Sequence, residues 1–168
     1  MIYQSDKDDR DWVKENLLNN ARVVFLPPSR FDTFDIYYLP KQKLDENGND
    51  LNNKMRFLEI KTRNFAHDKY PTTFVELDKY EAITSTTVNS RIPTELLVLF
   101  NDGYLFYSSE NVINMKDKVS KKYCPDQYDA YGDKWCNKMK DVVELKITDK
   151  IFHLYDSSSP NDSKQTHS

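Results

Sequence analysis

The chain has 168 residues, enough for one domain with a real core and short of two comfortable ones. With 30% charged residues, 13% aromatics and only 3 Gly it has the composition of a folded globular protein rather than a disordered one. A formal net charge of −3 excludes a chain that binds polyanions by overall charge, so any nucleic-acid contact must come from a local basic patch. No stretch approaches the ~20 apolar residues a membrane span needs, and the 2 cysteines cannot make a disulfide framework. With no apolar segment at the N-terminus, the expectation is an intracellular, cytoplasmic protein with no membrane contact.

In chain order, "DKDDRDWVKENLLNNA" places acids ahead of Trp12, Val13, Leu17 and Leu18, which predicts a first helix whose early charges suit its dipole. "RVVFLP" (22–27) is a short strand closed by Pro27 and Pro28, and "TFDIYYLP" (33–40) is a second. "KQKLDENGNDLNNK" (41–54) is a polar hairpin loop turning at Asn47 and Gly48. Its "DENGND" looks superficially like a calcium loop. However, the glycine is fourth rather than sixth and Arg56 holds the twelfth place, so the segment reads as a plain turn.

A third strand, "RFLEIKT", follows, then a helix over about 77–84. "TELLVLF" (94–100), the turn "NDG" and "YLFYSS" (104–109) form a strand hairpin, and "VVELKIT" (142–148) is a last strand. The expected fold is one α/β domain over residues 1–155 in the order α-β-β-β-α-β-β, with a disordered polar tail over 156–168.

The third strand carries the chemistry. Alternate residues share a face, so Glu59 and Lys61 point one way while Leu58 and Ile60 point the other. Alone, such a pair is an ordinary surface ion pair. A hairpin joining 33–40 to 56–61 brings Asp35 to the same end, and two carboxylates there can hold Mg²⁺ through hard oxygen ligands. A lysine beside them can position or deprotonate water and stabilise charge developing on a phosphate.

Asp35 with Glu59-Ile60-Lys61 resembles the D…(D/E)-x-K signature of the PD-(D/E)XK nuclease superfamily, over roughly residues 8–110. The resemblance implies a restriction-endonuclease-like core, a mixed central sheet flanked by helices. It also implies hydrolysis of phosphodiester bonds in DNA with Mg²⁺, or Mn²⁺ as substitute. Asp35, Glu59 and Lys61 would be catalytic, and Asp35, Glu59 and Glu15 on the first helix would hold the metal. Lys79, near the start of the second helix, would contact substrate. The first half of the signature departs from the pattern: "RFDTFD" offers both Asp32 and Asp35, neither directly preceded by proline, and Asp35 is preferred because hydrophobic residues follow it. DNA is the expected partner and a homodimer a compatible assembly. The sequence does not choose among restriction, junction-resolving, repair and phage or mobile-element nucleases. The alternative function is a non-catalytic module of the same fold that binds nucleic acid or a protein.

Other residues stay open. Arg63 could touch a phosphate or be solvated, and Tyr70, Thr72 and Thr73 could line a groove or belong to a plain loop. The stretch 116–140 interleaves Lys116, Lys118, Lys121, Lys122, Lys134, Lys138 and Lys140 with Tyr123, Tyr128, Tyr131 and Trp135. It reads as a nucleic-acid surface or as a solvated helical face, diluted by Asp117, Asp126, Asp129, Asp133 and Asp141. Cys124 and Cys136 lack a histidine pair for zinc. His67, His153 and His167 lack a nucleophile at recognisable spacing and receive no catalytic role.

Overall fold

The computed structural model describes residues 2–28, 33–126 and 136–155. The elements are α1 (Ile2–Asn16), β1 (Val23–Phe25), β2 (Ile36–Leu39), β3 (Arg56–Thr62), β4 (Thr72–Glu76), α2 (Leu77–Asn89), β5 (Thr94–Leu99), β6 (Gly103–Tyr107), α3 (Ser109–Asn114), β7 (Lys116–Asp126), β8 (Cys136–Lys146) and β9 (Phe152–Leu154). Six strands form a mixed sheet in the order β1-β2-β3-β5-β6-β9, and β4-β8-β7 form a second, smaller sheet. Every pairing is antiparallel except β3 with β5. A parallel pair needs a crossover, and β4 and α2 supply it. Among the described residues no helix is long and apolar enough to cross a membrane.

The main sheet is covered on both faces. On one, Trp12 and Val13 of α1 pack against Ile36, Leu58, Leu97 and Leu99. On the other, Leu96, Val98, Leu105 and Tyr107 meet Tyr80 and Ile83 of α2, Val112 of α3, and Val75, Val143 and Leu145 of the small sheet. β5 is therefore buried at every position, which is why "TELLVL" reads as a continuous apolar run rather than an alternation.

The first three strands and the β5–β6 hairpin lie where the sequence predicts them, and the second helix starts where predicted but runs on to Asn89. In the 41–54 loop, Gly48 takes φ +80° and the Asp45 carboxylate accepts from the Asn47 and Asn49 N–H groups. Asp45 serves the turn, as its spacing predicts.

Four features differ. Thr72 and Thr73 belong to β4, not to a loop: the Thr72 hydroxyl donates to Glu144 Oε1 at 2.9 Å and Thr73 is buried. The described parts of 116–140 are strands, so the helical-face alternative is corrected to a β-hairpin. Exposed Lys121, Tyr123, Lys138 and Asp141 are spread over both of its faces, which leaves no period-2 apolar signal. Helix α3 and strand β9, each short, are additional. Asp32, the core of 116–140 (Tyr128, Tyr131, Lys134 and Trp135 among it) and the 156–168 tail lie outside the described residues.

Candidate functional site

Asp35 sits just ahead of β2. Its N–H donates to the Leu58 carbonyl at 3.1 Å, and its Oδ2 accepts the Ile60 N–H at 2.8 Å. Because Ile36 pairs with Leu58, continuing the register by one residue sets Asp35 opposite Glu59, on the face away from α1. Glu59 and Lys61 share that face, while Leu58 packs against α1. The hairpin thus brings Asp35, Glu59 and Lys61 to one patch, the juxtaposition expected from the signature.

Glu59 is the centre of it. The residue is 4% exposed, and each carboxylate oxygen meets an ammonium: Oε1 lies 3.4 Å from Lys61 Nζ and Oε2 lies 3.4 Å from Lys79 Nζ. Burial, then the Asp35 charge, push its carboxyl up to about 7, although both lysines pull the other way. Lys79 also donates to the Thr33 carbonyl at 2.7 Å, which ties α2 to the segment leading into β2. Burial pulls the Lys61 ammonium down, but Glu59, Glu76 and Asp35 outweigh it and hold it above its ordinary value.

Glu76 completes the patch. It ends β4 and precedes α2 at the N-cap position without a side-chain capping bond. Its carboxylate reaches Lys61 instead, Oε2 to Nζ 3.6 Å, and Lys140 of β8, Oε1 to Nζ 4.0 Å. Sequence reasoning missed Glu76 because the strand that carries it reads as loop.

Two expected residues stand elsewhere. Glu15 is exposed on the helix whose Trp12 and Val13 cover the opposite face of the sheet, so it is corrected: it faces away from Glu59. Asp9 is the α1 acid that turns inward, three and four residues before Trp12 and Val13 on the same helical face. It is buried, and its Oδ2 accepts the Thr62 hydroxyl at 2.6 Å at the end of β3. That spacing was the available signal. Arg63 is not a solvated side chain: its guanidinium donates to the Phe74 carbonyl at 2.7 Å and lies 4.5 Å over the Phe74 ring, tying β3 to β4.

A second group of metal-capable side chains has no counterpart in the sequence reading. His67, Asp68 and Asp102 place their ligand atoms within 4.8 Å of one another. Asp102 accepts from the His67 backbone N–H at 3.0 Å and pairs with Nδ1 at 2.6 Å, while the imidazole stacks 3.6 Å from the Phe152 ring. These contacts clamp the loop after β3 to the β5–β6 turn, and the donor set makes the group a candidate acidic metal site. A cavity of about 340 Å³ opens on the α1 face, lined by Leu17, Tyr38, Leu58, Leu97 and Phe106; none of the Glu59 patch lines it.

The fold and site define a mixed α/β protein with a buried carboxylate–lysine patch on a hairpin strand. No protein-family model matches the chain, and no curated protein matches it. Among solved structures the fold resembles a Holliday junction resolvase from the archaeal hyperthermophile Archaeoglobus fulgidus, at 12% identity and a TM-score of 0.44, covering 85% of this chain and 89% of that one. The likeness is one of overall arrangement.

Proposed function

We propose that the protein is a metal-dependent nuclease that hydrolyses phosphodiester bonds in DNA, with Asp35 and Glu59 as metal ligands and Lys61 serving the attacking water. One observation carries the reading: the β2–β3 hairpin sets Asp35 beside Glu59 and Lys61 on one face, with Glu59 buried and in contact with two ammonium groups. Burying acids and lysines together is a poor way to stabilise a sheet. The patch retains a demand for positive charge that a divalent cation meets, and Mg²⁺ accepts one or two carboxylates with the rest of its shell water and phosphate. When bound, such a cation lowers the pKa of water and neutralises phosphate charge.

The chain's own residues then divide the work. Asp35 is held by the Ile60 N–H, which fixes one oxygen and leaves the other to coordinate. Lys61, close to Glu59 and Glu76, orients the water and meets charge that grows in the transition state. Lys79, released from Glu59 Oε2, meets the substrate phosphate. Purified protein is assayed on linear, nicked, branched and single-stranded DNA with Mg²⁺, Mn²⁺ or chelator; no cleavage of any form rejects the reading.

A non-catalytic, DNA-binding module is favoured by a different observation: both Glu59 oxygens meet lysines and one Asp35 oxygen is taken up by the backbone. DNA binding that persists without cleavage and without any response to Mg²⁺ selects it.

A further inference from the structure

β7 and β8 each run 11 residues, but β4 pairs only with Val142–Lys146 of β8. The remaining part, Cys136–Asp141 against Lys121–Asp126, continues past β4 as a two-stranded ribbon, about 20 Å long at ~3.4 Å per residue. Across the two strands seven lysines stand against four acids, in a chain whose formal net charge is −3.

The register sorts these charges by face, since cross-strand partners share a face. On the first face, Lys121 is opposite Asp141, 3.9 Å away. On the second, Lys122 is directly opposite Lys140 and diagonal to Lys138. Like charges placed opposite each other destabilise a ribbon, which the Phe74 ring 5.3 Å from Lys122 Nζ and the Glu76 carboxylate beside Lys140 offset only in part. By the same register Asp126 falls on this face too; of its acids with described side chains, Glu144 meets the Thr72 hydroxyl and Lys118, and Glu76 meets Lys61 and Lys140. Through Glu76 the lysine face runs directly into the Glu59 patch.

We propose that this lysine face is the docking surface for the phosphate backbone of duplex DNA, laying one strand along the ribbon towards Glu59 and Lys61. It rests on the nuclease reading for the direction of the strand. A row of lysines suits a repeating line of fixed negative charge, and a two-stranded ribbon is narrow enough for a duplex groove. The contacts are to phosphates, so binding is independent of base sequence and steep in salt.

The test measures binding of a short fluorescent duplex to metal-free protein across a salt series. One variant carries Lys122→Gln, Lys138→Gln and Lys140→Gln; a control with equal charge loss carries Lys41→Gln, Lys43→Gln and Lys54→Gln in the distant exposed loop. The expected result is a salt slope shallower by about 2–3 for the ribbon variant, at about 0.9 per phosphate contact removed, with affinity down roughly tenfold or more. The control stays near wild type. Equal weakening in both variants, no weakening in the ribbon variant, or no duplex binding by wild type overturns the proposal. If the triple variant unfolds early, Lys122→Gln alone is read, with a slope change of about 1 expected and no change overturning the proposal. Binding through the ribbon without cleavage overturns the nuclease reading alone, and cleavage with an indifferent ribbon overturns this one alone.

Discussion

Glu76 Oε2 stands 3.6 Å from Lys61 Nζ and joins the end of the small sheet to the strand that carries Glu59. The contact helps, after Glu59, to hold charged the lysine on which the proposed chemistry depends. Glu76 is among the groups that raise the Lys61 pKa, so removing it lowers that pKa. Glu76→Gln should therefore shift the alkaline limb of the cleavage pH profile to lower pH. An unmoved or upward-shifted limb refutes the coupling.

Lys61→Ala should cut the cleavage rate by a factor on the order of 10²–10³ and leave metal binding intact, since the ammonium acts on charge present only in the transition state. Glu59→Ala should remove both. Calorimetric Mg²⁺ titration beside a cleavage assay separates the two, and near wild-type turnover by Lys61→Ala rejects its role.

In the metal-free protein Glu59 opposes stability. Its folded pKa is raised from 4.5 to about 7, so its favourable contribution is present below the unfolded value and lost as pH rises through about 7. Glu59→Gln should raise the thermal midpoint at pH 8. The gain is at most on the order of 3 kcal/mol, offset in part by the missing attraction to Lys61 and Lys79. At pH 4 the substitution should change little. A gain confined to acid pH contradicts the sign.

On the α1 face of the sheet, Tyr38 donates its hydroxyl to buried Glu95, which Arg56 also contacts at 3.3 Å. Burial already raises the Glu95 carboxyl, and the Tyr38 bond works against that rise. Tyr38→Phe should cost about 1–3 kcal/mol, more at pH 8 than at pH 4, because the ionised carboxylate is the form left short of a donor. Denaturant melts at the two pH values check it, and an equal loss at both contradicts it.

Glu15→Ala should change neither stability nor cleavage measurably. Asp9→Ala should lower stability by about 1 kcal/mol through removal of the Thr62 hydrogen bond. Parallel thermal melts decide between them, and a larger effect at Glu15 reverses the assignment.

What could be read in the sequence was what has a period. The alternation of Leu58 and Ile60 with Glu59 and Lys61 fixes faces without any knowledge of the rest of the chain. The placement of Asp35 follows once the hairpin is granted. Glu76 was hidden because β4 is five residues long and follows a loop-like run, so its strand character comes from pairing with β8 rather than from its own pattern. Glu15 failed because proximity in sequence stood in for helical phase; Asp9 shares the phase of Trp12 and Val13. The His67–Asp102 pair spans 35 residues with no intervening pattern, and only the packing of two loops creates it.

The pairing of β4 with β8 sets the order in which the molecule can assemble. Thr72 meets Lys146 and Glu76 meets Val142, so these partners close loops of nearly half the chain's length, a slow step compared with the local hairpins. Until β8 arrives, β4 presents an unpaired edge beside a half-built patch of acids and lysines. A chain interrupted before Cys136 would keep the β2–β3 hairpin and β5 but leave that edge open to pair with another copy. The same sheet that carries Lys140 to Glu76 thus also gives β4 its one strand partner among the described residues.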